Sequence, residues 1–275
     1  TIMDAANSQR TQDDQVQEMI DNGCDILCVN LADRTDPSQI ITAAQEHDIP
    51  IIFFNREPVE EDLMQWDQLY YVGAKAKQSG QMQGQLAADY IKEHPDVDRN
   101  HDGKIQYVIL EGEMGHQDAI IRTESVVESL KEQGIELEKL SYQIANWNRA
   151  QAQNRMMQLI GQYKNRIEVV IANNDAMALG AMDAYEKLGY TEANRPVFLG
   201  IDGTKEGLEA VQAGTLAATV YNDKEGQATT MANLAFSVVT EDENNPNPFK
   251  NYKYIYCAYQ KVTKENVQTF LEKEE

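Results

Sequence analysis

The sequence has 275 residues, and its 24 Lys and Arg against 45 Asp and Glu give a formal net charge of −21. This acidity repels nucleic-acid phosphates and anionic membranes, no basic run offsets it, and no stretch approaches the about 18 consecutive apolar residues of a transmembrane helix. At roughly 150 residues per domain, the length favours two domains, and the charge leaves a neutral small molecule or a cation as the expected ligand.

In chain order, runs of β-branched and aromatic residues predict strands at 25–30, 50–55, 68–73, 105–110, 167–172, 196–201 and 216–221. Between them, apolar residues at three- and four-residue spacing predict helices at 8–22, 76–92, 119–133, 148–163, 175–188 and 204–213. The alternation is typical of parallel sheets covered by helices on both faces, and it predicts two doubly wound α/β domains. A polar, Pro-rich loop is predicted at 241–251, and a short helix in the acidic tail at 263–275.

The three cysteines leave at least one thiol unpaired within the chain. Cys24 and Cys28 belong to one predicted strand, where four residues span about 13 Å, so they cannot form a disulfide with each other there. With Cys257, they are predicted to be small, buried apolar residues.

Polar residues follow most of the predicted strands. Ligands bind beyond the carboxyl ends of parallel strands, which makes these residues candidates for binding. They are Asn55, His116, Asp118, Asn174, Asp175, Asp202 and Asn222. No glycine-rich phosphate-binding motif follows any strand, which argues against a nucleotide ligand.

The segment DRNHDGKIQ, residues 98–106, matches the first nine positions of a calcium-binding EF-hand loop. Asp98, Asn100 and Asp102 take positions 1, 3 and 5, Lys104 would offer its carbonyl at position 7, and Gln106 takes position 9. Position 12 is Ile109 instead of Glu, so a complete shell needs a carboxylate from elsewhere. The alternative is a solvated, Asx-rich turn between a helix and a strand.

The segment GHQDAIIRT, residues 115–123, places His116, Asp118 and Arg122 at the start of a predicted helix. Asp118 and Arg122 are four residues apart, so both can face one cleft. The alternatives are an N-cap aspartate with a surface ion pair, or an enzyme in which His116 is a general acid or base. Catalysis is poorly supported, because no nucleophile lies in a recognisable setting.

Trp147 lies just before a polar helix start. The simplest interpretation is packing in the core or between domains. The alternative is a flat apolar platform for a sugar ring, whose C–H face would stack on the indole while Asp, Asn, His and Arg side chains bind the hydroxyls around its edge.

Together, FFNREP, GHQDAIIRT, IANNDAMALGA and the loop at 98–106, in this order, make the sequence resemble the galactose- and glucose-binding type I periplasmic solute-binding proteins. The resemblance implies two α/β domains joined by three crossings, with the sugar in the cleft between them and hinge closure over it. One domain would be 1–74 with 223–256, and the other 75–222 with 257–275.

The resemblance also implies the ligands of both sites. The hydroxyl-binding residues would be Asn55, His116, Asp118, Arg122, Asn174, Asp202 and Asn222, and Trp147 would stack on the sugar. Ca²⁺ would be held by Asp98, Asn100, Asp102, the Lys104 carbonyl, Gln106 and Glu168. Glu168 would supply the carboxylate that Ile109 does not.

The family also has a first strand and helix, roughly 35 residues, ahead of the segment that matches TIMDAANSQ. That unit carries a sugar-binding aspartate and a second stacking aromatic residue. Without it, the residues named above predict binding of glucose or galactose but no preference between the two. The segment is expected to be missing from this chain by truncation or incomplete description.

The resemblance implies an extracytoplasmic, monomeric sugar-binding protein that delivers glucose or galactose to the membrane subunits of an ABC importer, with chemoreceptors as further partners. A periplasmic or lipid-anchored location is expected. One alternative is the effector domain of a sugar-responsive repressor, which needs a helix-turn-helix and a basic face that this sequence does not show. Another is a sugar-modifying enzyme using His116 and Asp118.

Overall fold

The computed structural model describes residues 1–240 and 252–274, so the loop predicted at 241–251 lies outside the described residues. The chain forms two compact units. The first unit comprises Thr1–Ala74 and Asp223–Ala258, and the second comprises Lys75–Asn222 and Tyr259–Glu275. Within the described residues, no helix is both long enough and apolar enough to cross a membrane.

The strands are β1 Leu27–Val29, β2 Ile51–Phe54, β3 Leu69–Gly73, β4 Ile105–Glu111, β5 Leu137–Ile144, β6 Val169–Ala172, β7 Val197–Leu199, β8 Thr219–Tyr221, β9 Tyr254–Tyr256 and β10 Gln260–Val262. The helices are α1 Gln9–Asp21, α2 Ser38–Glu46, α3 Glu60–Leu63, α4 Ala76–Glu93, α5 Gln117–Glu132, α6 Arg149–Tyr163, α7 Asp175–Lys187, α8 Lys205–Ala213, α9 Lys224–Thr240 and α10 Val267–Leu271. Short 3₁₀ turns lie at Pro95–Val97 and Lys164–Arg166.

The first unit is built on a parallel sheet with the strand order β1-β2-β3-β9. Successive side chains of a strand point to opposite faces, so β2 packs on both sides. Phe53 lies in one apolar cluster with residues of α1 and α2, whereas Ile52 lies in another with Leu234 of α9. Helices therefore cover both faces of this sheet.

The second unit is built on a parallel sheet with the order β5-β4-β6-β7. Parallel bridges from Leu199 to Ala218 and from Asp202 to Tyr221 attach β8 beyond β7, and β10 pairs with β8 antiparallel. Helix α4 packs against α5, and α6 packs against α7. Every residue of the central strand β4 is buried, as expected for a strand covered on both faces.

The predicted α/β class with parallel sheets is confirmed, and each predicted strand and helix has a counterpart. Strands β5, β9 and β10 and helices α2, α3 and α9 are present but were not predicted. Strand β5 contains no fully buried residue, because it lies at the edge of its sheet, and its sequence LEKLSYQI is too polar to stand out.

The prediction of buried cysteines is wrong. Cys28 is exposed, and Cys24 and Cys257 are only partly buried. Strand β1 lies at a sheet edge, and only its alternate side chains, Leu27 and Val29, point into the core.

Candidate functional site

The carboxyl ends of the strands in the second unit carry most of the predicted sugar-binding residues. In sheet order, Trp147 follows β5, His116 follows β4, Asn174 follows β6, Asp202 follows β7 and Asn222 follows β8. Asp118 and Arg122 lie on α5, which begins directly after His116. Parallel strands end at one edge of a sheet, so this topology brings the side chains together.

Arg122 is at the centre of this group and is only 6% exposed. Its Nη1 donates to the Asn173 carbonyl at 2.8 Å, and its Nη2 donates to the Tyr259 hydroxyl at 3.0 Å. Nη1 also lies 3.6 Å from Oδ1 of Asp202. These contacts fix the guanidinium, while its buried Nε has no hydrogen-bond partner among the described residues.

Trp147 is half-buried beside Arg122 and His116. The Arg122 Cζ lies 5.7 Å from the indole centroid, and the His116 ring meets the indole edge-on at 5.2 Å with an interplanar angle of 78°. Asn174 Nδ2 donates to the Trp147 carbonyl at 3.4 Å. The backbone of Trp147 is left-handed, with φ 59°, which is costly for a bulky residue and indicates that the surrounding contacts hold the ring in place.

His116 caps the first turn of α5, because its Nδ1 accepts from the Asp118 N–H at 3.2 Å. The cap therefore is the histidine, and the alternative of an N-cap at Asp118 is wrong. An accepting Nδ1 assigns the proton of the neutral ring to Nε2, so His116 offers a donor.

Asp202 stands in a strained loop and pairs with Arg122. Its φ is 111°, its N–H donates to the Val220 carbonyl at 2.8 Å, and its side chain is 31% exposed. Partial burial raises the pKa of Asp202 to about 6; Arg122 opposes the shift and the Asp118 charge adds to it. The carboxylate is therefore mainly ionised at neutral pH and can accept hydrogen bonds from hydroxyl groups. The Asp202 carbonyl accepts from the Asn222 N–H at 2.9 Å, which places Asn222 in the same group.

Asn55 belongs to the first unit, at the carboxyl end of β2. It is exposed and left-handed, with φ 60°, and its Nδ2 donates to Asn30 Oδ1 at 3.4 Å. The Tyr71 hydroxyl donates to the Asn55 carbonyl at 2.9 Å, which fixes the backbone from which the side chain projects.

Three supporting residues of the second unit were not predicted. Tyr259 and Asn173 hold Arg122, and Gly112 lies under the Trp147 indole. Asn173 was visible as a polar residue at a strand end. Tyr259 carried no signal in the sequence, because it reaches Arg122 from 137 residues away.

The loop at 98–106 follows the 3₁₀ turn, runs into the first two residues of β4 and folds around its own acidic side chains. Asp98 Oδ2 accepts from the Gly103 N–H at 2.9 Å, and Asp102 Oδ1 accepts from the Lys104 N–H at 2.8 Å. Asn100 Oδ1 accepts from the Asp102 N–H at 2.9 Å. Gly103 has φ 79°, the left-handed conformation for which glycine is suited.

Glu168 lies directly before β6 and contacts this loop, although the two are distant in sequence. It is 1% exposed; its Oε1 accepts from the Arg99 N–H at 2.7 Å and its Oε2 from the Gln106 N–H at 2.9 Å. Burial raises the pKa of Glu168. Among the described residues, no group of three or more His, Cys, Asp or Glu side chains is positioned to hold a metal ion. The donors at the loop are of mixed type, with carboxylates accompanied by amide and carbonyl oxygens, which is the set that Ca²⁺ takes.

A sequence profile described as a periplasmic binding protein domain matches residues 1–243. The D-galactose/methyl-galactoside binding periplasmic protein MglB of Haemophilus influenzae is 37% identical over 272 residues, covering 98% of this chain and 81% of that protein. A putative rhizopine-binding protein of Rhizobium meliloti is 30% identical, with the same two coverages of 98% and 81%. Among solved structures, an ABC transporter solute-binding protein from Bacillus halodurans with bound myo-inositol superimposes with a TM-score of 0.81 at 30% identity, covering 98% of this chain and 85% of that one.

Proposed function

The chain belongs to the periplasmic binding protein family, and from that premise we propose that it binds D-galactose or D-glucose and delivers the sugar to an ABC importer. Membership makes it a periplasmic sugar-binding protein of the ABC importer type, and not an enzyme. The choice of sugar, the individual ligand residues and the calcium ion are parts of the proposal.

The arrangement around Trp147 carries this proposal. The Trp147 indole lies beside the buried Arg122 and the His116 ring, and Arg122 in turn lies 3.6 Å from the Asp202 carboxylate. A hexose presents C–H groups on one face and hydroxyl groups around its edge, and each hydroxyl both donates and accepts. A carboxylate accepts from a hydroxyl and a guanidinium donates to it, so the pair gives charge-assisted bonds without requiring a charged ligand.

The relatives point to the same chemical class. The Haemophilus protein is described as binding galactose and methyl-galactoside, and the Bacillus protein carries myo-inositol. Both ligands are neutral ring polyols. We place galactose first because the galactose-binding relative with 37% identity covers nearly the whole chain, and we add glucose as its epimer. We include Asn55 as a ligand because an exposed strand-end amide suits a hydroxyl group.

Calorimetric titration with D-galactose, D-glucose and myo-inositol tests the proposal, with Asp202→Asn as the site variant. Asp183→Asn is the matched control, since Asp183 pairs with the exposed Arg149 on α6. We expect wild type and control to bind one of the two hexoses and Asp202→Asn to bind it at least about tenfold more weakly, because a charged acceptor is lost. No heat with either hexose at millimolar concentration would refute the proposal, and heat with myo-inositol alone would move the specificity to a cyclitol.

We also propose that Ca²⁺ occupies the loop at 98–106, held by Asp98, Asn100, Asp102, the Lys104 carbonyl and Gln106, with Glu168 completing the shell. The support is the loop conformation, the left-handed Gly103, and a buried Glu168 carboxylate beside the loop. Gln106 Nε2 lies 3.0 Å from Asp102 Oδ2, and rotation of the amide exchanges its nitrogen for its oxygen. When bound, the ion would neutralise acidic groups of the loop and brace the start of β4.

A further inference from the structure

Asp175 is a fully buried carboxylate directly behind the candidate sugar-binding residues. It is the first residue of α7, follows the predicted ligand Asn174, and is 0% exposed. Its Oδ1 accepts from the Thr219 hydroxyl at 2.6 Å, and its Oδ2 accepts from the Thr204 N–H at 2.8 Å and from the Thr204 hydroxyl at 3.3 Å. Its own N–H donates to the Ile201 carbonyl at 2.7 Å. The residue therefore joins α7 to β8 and to the loop after β7.

The two contacts to the loop lie on either side of Asp202. Ile201 precedes Asp202 and Thr204 follows two residues later, and the backbone between them is left-handed, with φ 111° at Asp202 and φ 66° at Gly203. Backbone of this kind is costly and persists only where surrounding contacts fix it. Asp175 supplies contacts at both ends of this strained segment.

Two glycines leave the space that the carboxylate fills. A Cβ at Gly200 would lie 2.2 Å from Asp175 Oδ1, and a Cβ at Gly207 would lie 2.3 Å from Oδ2. Neither position can carry a side chain unless the carboxylate moves. The local sequence therefore accommodates Asp175 in one orientation.

We propose that Asp175 is a positioning residue for Asp202: its carboxylate and N–H fix the loop at Ile201 and Thr204 and so aim the Asp202 carboxylate at Arg122 and the ligand. The part that concerns the ligand rests on the proposed sugar-binding function. The part that concerns the loop does not, so the two are tested separately.

Hydrogen exchange of the ligand-free protein tests whether Asp175 fixes the loop at Thr204. Asp175→Asn keeps the shape of the side chain but replaces one acceptor oxygen with a donor, and Asp183→Asn on the same helix is the control. The amide keeps one acceptor oxygen for three donors, namely the Thr219 hydroxyl, the Thr204 N–H and the Thr204 hydroxyl. We therefore expect the Thr204 amide to exchange about 10- to 100-fold faster in Asp175→Asn, with the control unchanged. Unchanged protection of Thr204 in Asp175→Asn would overturn the proposal.

A double-mutant cycle tests whether Asp175 acts through Asp202. We expect Asp175→Asn to weaken binding of the preferred hexose about tenfold in the wild-type background and to have little further effect in the Asp202→Asn background. An equal loss in both backgrounds would mean that Asp175 acts independently, and would overturn the proposal. A wild-type protein that binds neither hexose would refute the proposed function and leave the exchange result to decide the loop.

Gly207→Ala provides the same test without altering the carboxylate, in case Asp175→Asn does not fold. Alanine is favoured over glycine in a helix, so this change in α8 would otherwise stabilise the protein. The added Cβ should displace the carboxylate from the Thr204 N–H and accelerate exchange of that amide by about tenfold or more. Slower or unchanged exchange at Thr204 would count against the proposal.

Discussion

Gly112 is predicted to be indispensable for the position of the Trp147 indole. A Cβ added at Gly112 would lie 2.2 Å from Cζ2, 2.3 Å from Cε2 and 2.4 Å from Cη2 of that ring. Gly112 is held in its turn, because its N–H donates to Asn173 Oδ1 at 3.2 Å. In Gly112→Ala the ring must therefore move, and reaching an ordinary contact of 3.4 Å requires a shift of about 1.2 Å.

The size of the effect follows from this displacement. Forcing an extra methyl group into a packed site costs about 1–3 kcal/mol. Because the sugar would stack on the ring in its original position, this free energy is subtracted from that of binding. Sugar affinity should then drop about 5- to 150-fold. The shift also moves the indole relative to the His116 ring and the Arg122 guanidinium, which now lie 5.2 Å and 5.7 Å away, so the ring's environment changes even without sugar.

Fluorescence and calorimetry read out the two consequences. The chain has two tryptophans, so Trp66→Phe leaves Trp147 as the sole indole reporter. In that background, Gly112→Ala should shift the emission of Trp147 and weaken hexose binding, whereas Gly161→Ala on α6 should do neither, because a Cβ there meets nothing within 4 Å. Unchanged emission together with unchanged affinity in Gly112→Ala would show that the ring does not rest on this glycine.

Three further predictions concern the same unit. Trp147→Ala should weaken galactose and glucose binding by a similar factor, because stacking does not distinguish epimers; calorimetry showing loss of one sugar alone would contradict the platform role. Removing Ca²⁺ with a chelator should lower the melting temperature. The loss of stability is equivalent to about 2.7 kcal/mol when the ion was present at 100 times its Kd. The site variant Glu168→Gln should abolish this response, and the control Glu132→Gln should keep it. The pKa of Asp175 rises from 3.8 to about 7 through burial and the nearby Asp202 charge, so its protonated form is favoured by folding. Urea unfolding should therefore show wild type losing stability relative to Asp175→Asn as the pH rises from 4 to 8, and a difference that is constant with pH would refute the assigned shift.

The sequence was most informative where one physical rule dominates. Buried parallel strands read as continuous apolar runs, so β4 and β6 were predicted within a few residues of their bounds. The turn at Gly103 followed from loop spacing, since the loop conformation requires a residue that tolerates positive φ. In contrast, β5 lies at an edge and has a polar sequence, and β9 is only three residues long, so neither was predicted.

The rule that ligands bind beyond the carboxyl ends of parallel strands predicted the location of the candidate site but not the role of each residue. It marked Asn174 and Asp202 because polar residues at that edge face a ligand-binding position. It could not find Tyr259, whose contact with Arg122 depends on the chain returning to β10 after leaving the second unit. Nor could it find Gly112, because a glycine beneath an indole is a matter of packing between two loops.

The consecutive residues 173–175 show why roles within the site require the structure. All three are polar and follow one strand, yet the Asn173 carbonyl accepts from Arg122, Asn174 caps α7 and contacts Trp147, and Asp175 is buried behind the loop that carries Asp202. The chain changes from strand to helix at this point, so successive side chains project in different directions instead of alternating between two faces. A ligand that binds here would therefore respond to Asp175 through Asp202, whereas Asn173 gives Arg122 its main-chain carbonyl and gives Gly112 its side-chain oxygen. Substitution of Asp175 should change affinity only while the Asp202 carboxylate is present, which is the dependence that the double-mutant cycle at Asp175 and Asp202 measures.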